Sequence, residues 1–126
     1  MVGHAIRDIA WTRVSPNWRR FFLVLESGAT FEMTPEGVVP APLPADARSA
    51  IQDDSDLGEA AGGPRIRSVW INHDDEVIVI LDSGKLINLC THFNGEEVWN
   101  QVLLVTTPAD WNKEAERLGA WVLQEE

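Results

Sequence analysis

The sequence predicts an α+β domain that is mainly β, with two pseudo-repeated three-stranded antiparallel meanders forming one strongly bent sheet or open barrel and a C-terminal α-helix packed on it. Three observations predict it. A stretch of the chain recurs at a fixed offset, its apolar runs have the length of strands, and the end of the chain carries a helix start signal.

Leu25-Glu26-Ser27-Gly28 recurs as Leu81-Asp82-Ser83-Gly84, and Ala29 to Met33 lines up with Lys85 to Leu89 at the same offset of 56. Upstream, Phe21-Phe22-Leu23-Val24 aligns with Val77-Ile78-Val79-Ile80, and Ile9-Ala10-Trp11 aligns with Ser68-Val69-Trp70 at an offset of 59, so the first copy has a loop three residues longer. Each copy reads as strand, loop, strand, tight turn, strand. A meander this short does not hold alone, so the two must share a core. A short hairpin turn needs a positive φ, which glycine adopts without a Cβ clash, so Gly28 and Gly84 are structural.

The middle strands are apolar without alternation, as expected for burial on both faces. The third strands alternate. Ala29, Phe31 and Met33 oppose Thr30 and Glu32; Ile87 and Leu89 match the inward set and leave Leu86, Asn88 and Cys90 on the other face. The second copy is therefore apolar on both faces and needs a cover. The helix expected at about 108–123 supplies it: Thr107 caps, Pro108 suits the first turn, and Asp110 and Glu114 favour the positive end. Trp111, Ala115, Leu118 and Val122 form its apolar stripe with Trp121 beside it, and Gly119 weakens its last turn.

These elements give a single domain over 1–126: repeat A at about 5–39, a connector at 40–64, and repeat B at about 65–105. The connector is Pro-rich and then acidic. Pro44 to Gln52 is expected to make a short helix with Ala47, Ala50 and Ile51 inward, and 53–63 a mobile acidic linker. Glu96 to Val105 suits a strand by its valines and the Asn94-Gly95 turn, with a helix as the alternative.

A chain of 126 residues buries one core without metal or disulfide staples. No apolar run approaches a membrane span, and Met1 to Ala10 lacks the features of a signal peptide, so a cytoplasmic protein with no membrane contact is expected. Cys90 has no disulfide partner and no His or Lys pattern to activate it, and reads as a small buried hydrophobe. The net charge of -10 argues against direct nucleic-acid binding and against anionic lipid. It points to a protein partner with a basic surface, of the kind nucleic-acid-handling proteins carry.

No catalytic signature is present: no Gly-x-Ser-x-Gly elbow, no His-Glu-x-x-His, no Gly-rich phosphate loop and no cysteine pair. No enzyme activity, cofactor or metal is expected. The remote alternative is a metal-assisted hydrolase using His73, Asp75 and His92, but a solvated hairpin loop accounts for Asn72 to Glu76. Of the six tryptophans, Trp11 and Trp70 are matched between copies and assigned to the core, and Trp111 and Trp121 to the helix. Trp18 and Trp99 remain as contact anchors.

The expected function is a small, acidic, cytosolic binding protein that occludes a basic partner surface, as an inhibitor, immunity or anti-defence protein does. The alternative is an accessory subunit or small-ligand-binding module. The expected contact residues are Trp18, Arg19, Asp53, Asp54, Asp56, Asp74, Asp75, Glu96, Glu97 and Trp99. They cluster where the copies differ: Ser15 to Arg20, the 53–63 linker and Asn94 to Trp99. Edge strands allow either a monomer or a homodimer.

Overall fold

Among the residues that the computed structural model describes (1–72, 76–105 and 121–124), ten strands form two antiparallel five-stranded sheets. The first holds β1 (Ile6–Ser15), β2 (Trp18–Leu25), β3 (Thr30–Thr34), β4 (Gly37–Pro40) and β5 (Arg48–Ser49), in the order β4-β3-β2-β1-β5. The second holds β6 (Ile66–Asn72), β7 (Val77–Leu81), β8 (Leu86–Phe93), β9 (Val98–Val105) and β10 (Trp121–Leu123), in the order β10-β6-β7-β8-β9. The chain is mainly β, as the strand patterns predict.

The expected single bent sheet or barrel is corrected to two sheets. Each copy gains a fourth strand, β4 or β9, from sequence just beyond the meander, and a fifth, β5 or β10, on its other edge. A sheet so completed has a whole apolar face to bury and does so against the other sheet. One cluster accordingly joins Ile9, Trp11, Phe21 and Leu23 of the first sheet to Val69, Val79, Ile87, Leu89 and Val102 of the second.

The turns at Gly28 (φ 90°) and Gly84 (φ 88°) are of the expected kind. The first-strand alignment shifts by one residue: Ala10 stands opposite Phe22, whereas Trp70 stands opposite Ile78, so Trp70 matches Ala10 and the offset there is 60. A one-residue slip reverses the face of every side chain. Trp11 therefore enters the core, while Trp70 is half-buried outside the central cluster, its indole donating to Ser68 Oγ at 3.0 Å. Both first strands also carry a register shift, between Ile6 and Asp8 and between Ile66 and Ser68.

Two expectations for the connector are corrected. Its α-helix α1 covers only Ala50–Asp53, because Arg48 and Ser49 pair with Trp11 and Ala10 as β5. Residues 55–60 form a 3-10 helix, not a mobile linker, since Leu57 and Ala60 belong to the core. Before that, Ala41 to Ala47 carry the chain from one edge of the sheet to the other. Thr30 Oγ1 donates to Ala41 O and Thr12 Oγ1 to Asp46 Oδ2, so the segment passes over the outer face and helps keep Phe22 and Val24 from water.

The helix expected at 108–123 falls outside the described residues over 108–120, and its end is corrected. Trp121, Val122 and Leu123 form a strand opposite Asn72, Ile71 and Trp70, which satisfies the backbone groups of an otherwise open β6 edge. Val98–Val105 is a strand, in agreement with its valines. Ile78, Leu86 and Cys90 are buried although they lie outside the central cluster, so the outer face of the second sheet is covered, as its two-sided apolar pattern requires. Among the described residues, no helix is long and apolar enough to cross a membrane.

Candidate functional site

Two turns that sequence comparison singles out come together at one end of the molecule. Arg19, at the start of β2, is held by Asn100 of β9: Asn100 Oδ1 accepts the Arg19 N–H at 3.0 Å, and its Nδ2 donates to the Arg19 carbonyl at 2.6 Å. Asn100 is buried, so this two-point bond pins the β1–β2 turn to the second sheet. Gln124 makes the same kind of clamp elsewhere, accepting from Val38 N–H at 2.8 Å and donating to its carbonyl at 2.7 Å.

Arg19 lies over two aromatic rings, its guanidinium carbon 5.3 Å from the Trp11 centroid and 5.0 Å from that of Phe21. Arg13 and Arg48 approach the same indole at 5.5 and 5.6 Å. The ladder explains this convergence: Arg13 pairs with Arg19, Trp11 with Phe21, and Arg48 with Trp11, so all project from one face of the sheet. Burial, with Arg13 second, holds the Arg19 pKa below the ordinary arginine value, and Asp53 acts in the opposite direction. Asp53 itself accepts the Trp11 indole N–H at 2.9 Å. Arg20 points the other way, over Phe22, and forks onto Glu32 at 3.1 and 2.7 Å, a hydrogen-bonded pair that raises its pKa.

Three clefts border Arg19. One of ≈ 180 Å³ opens toward the connector past Asp53, Asp54 and Leu57. Another of ≈ 190 Å³ runs past Trp18, Arg20 and Glu32. The third, ≈ 350 Å³, lies between the β1–β2 turn and β9, lined by Arg13, Pro16, Asn17, Arg19, Trp99 and Asn100.

Beside this end, the β8–β9 hairpin presents a tip. Asn94 Oδ1 accepts the N–H groups of Glu96 and Glu97 at 3.0 and 2.8 Å, which fixes the turn and leaves both carboxylates exposed. At its base Phe93 and Val98 form a cross-strand pair, 70% and 47% exposed. Trp99 stacks on His92 with centroids 5.3 Å apart.

Of the expected contact residues, Trp18, Arg19, Asp53, Asp54 and Trp99 thus line clefts around Arg19. Glu96 and Glu97 stand at the hairpin tip. Asp56 is exposed on the connector, its N–H bonded to Asp54 Oδ1. Asp74 and Asp75 lie outside the described residues, as does His73, so its pairing with His92 does too. Glu76 is buried, its N–H bonded to Asn72 Oδ1. Among the described residues, no group of three or more His, Cys, Asp or Glu is placed to hold a metal.

The sequence reading passed over Arg13, Arg48, Phe93 and Trp11 as parts of the site. Arg13 was legible in principle, because residues flanking a hairpin turn face each other across it. It also passed over the neighbour of Cys90: His92, two residues on along a strand, shares its face, with Nε2 3.3 Å from the sulfur and 2.7 Å from Gln101 Nε2. This end of the molecule combines exposed apolar side chains, exposed carboxylates on an ordered turn, and cations set over aromatic rings. No family model, no curated protein and no solved structure matches the chain.

Proposed function

We propose that the protein is a small cytoplasmic binding protein that works by covering a basic surface of a partner protein, in the manner of an inhibitor, immunity or anti-defence protein. The observation that carries this reading is the β8–β9 tip, where Phe93 is 70% exposed beside Val98 and the turn holds Glu96 and Glu97 in place. An exposed aromatic with an apolar neighbour is the usual core of a protein contact, and flanking carboxylates select a cationic rim. Trp99 and Trp18 extend the contact along the same end, and the net charge of -10 speeds encounter with a basic partner. The two sheets share one strand order, which supports descent from a single duplicated five-strand unit; the contact end then uses loops that differ between the copies.

The test compares affinity capture from the native host by the wild type and by a variant carrying Phe93→Ser with Glu96→Lys and Glu97→Lys. A partner that binds the wild type should be lost by the variant and released as salt rises. A partner retained by the variant, or one whose binding ignores salt, speaks against the tip or against the charge respectively.

A further inference from the structure

Three guanidiniums surround one indole in a protein with twice as many acidic as basic residues, and the carboxylate beside them, Asp53, accepts the indole N–H. Arg13 donates from Nη1 to Pro16 O at 2.7 Å, and among the described residues its other N–H groups make no hydrogen bond. Among the described residues, the guanidiniums of Arg19 and Arg48 make no hydrogen bond and no ion pair. Since all three lie within 5.6 Å of the same ring centroid, no two can be farther apart than the sum of their ring distances. Like charges so placed repel, and an anion joining them relieves that repulsion.

The cleft between the β1–β2 turn and β9 is built for such an anion. Arg13 and Arg19, a direct cross-strand pair, stand in its wall, and none of its lining residues is acidic. Asn17 and Trp99 add an amide and an indole N–H that have no partner among the described residues. The Arg19 fork is preorganised: it lies over Trp11 and Phe21, and its backbone is fixed by Asn100. Asp53 and Asp54 line a different cleft, and Asp53 is occupied by Trp11.

We propose that this cleft binds the phosphate group of a small phosphate monoester, with Arg13 and Arg19 as the paired cations and the organic part beside Trp99. A phosphate monoester carries close to two charges at neutral pH and three acceptor oxygens, so one ligand satisfies both forks, whereas a carboxylate fills one. The volume of ≈ 350 Å³ falls in the range of small-molecule sites and exceeds what a bare phosphate fills. The assignment rests on the arginine cleft and not on the hairpin tip, so either reading can fail without the other.

The test is an NMR titration of the full chain with inorganic phosphate, phenyl phosphate and acetate at constant ionic strength, following the Arg Nε–H and Trp indole signals. Saturable shifts confined to Arg13, Arg19 and Trp99 are expected, with phenyl phosphate binding at least tenfold tighter than inorganic phosphate and acetate at least tenfold weaker than it. Arg13→Gln, an exposed position that leaves the core intact, and Arg19→Gln should each weaken phenyl phosphate tenfold or more, while Arg67→Gln on the other sheet should leave it unchanged. Unsaturable drift equal for all three anions overturns the site, as does full affinity in Arg13→Gln. Equal affinity for inorganic and phenyl phosphate overturns the place given to the organic group.

Discussion

Asn100 is the residue on which the proposed contact end depends. Its amide satisfies both backbone groups of Arg19 across the gap between the sheets, and it is 5% exposed. Asn100→Ala leaves an N–H and a carbonyl without partners, at a cost of about 1–3 kcal/mol. Urea unfolding should show that loss as a lower midpoint with an unchanged slope. The more conspicuous Arg20–Glu32 fork contributes less: the Arg20 side chain is 43% exposed, and exposed pairs contribute at most about 1 kcal/mol. Neither arginine shift makes stability depend on pH near neutral. The raised Arg20 pKa adds stability that is lost only as pH climbs through it, far above neutral, and the lowered Arg19 pKa acts with the opposite sign in the same alkaline range.

At the scale of elements, the strands were legible wherever pattern and turn chemistry agreed. Phe21 to Leu25 and Val77 to Leu81 announce buried strands, and Ser27-Gly28 and Ser83-Gly84 announce the turns that follow. Less legible was anything set by partners distant in sequence. Arg48 and Ser49 are a strand only because β1 offers them an edge, and Val122, which completes a helical stripe in the sequence with Trp121 beside it, pairs with β6 instead. The slip of Trp70 against Trp11 comes from the loops: both first strands carry the same register shift and keep an offset of 60 while the second strands keep 56, so the first loop is four residues longer and not three. The connector gives the sharpest test. Leu57 is 3% exposed in the shared core, so Leu57→Ala should cost about 2–4 kcal/mol, whereas a solvated linker would change by less than about 0.5 kcal/mol. Calorimetric unfolding of that single variant distinguishes the two.

At the scale of the whole molecule, two sheets bury one core and leave the ends of the sandwich to carry whatever differs between the halves. The contact end combines Phe93 and Val98 with Glu96 and Glu97 at the tip and the arginines of β1, β2 and β5 behind it. The sequence places the contact where the copies diverge, at Trp18, Arg19 and Trp99, and the fold gathers these residues around clefts at one end. It predicts that surface to be acidic. The overall charge of -10 hides the local arginine cluster, which only the pairing of β1 with β2 and β5 assembles. Other apolar side chains are exposed too, among them Leu43 at 41% and Val122 at 54%, and they provide matched controls. The most direct measurement places a photo-crosslinking amino acid at position 93, 43 or 122 and illuminates each variant in the native host. The account predicts one discrete protein adduct at position 93 and none at 43 or 122; an adduct at 43 or 122 with none at 93 contradicts it.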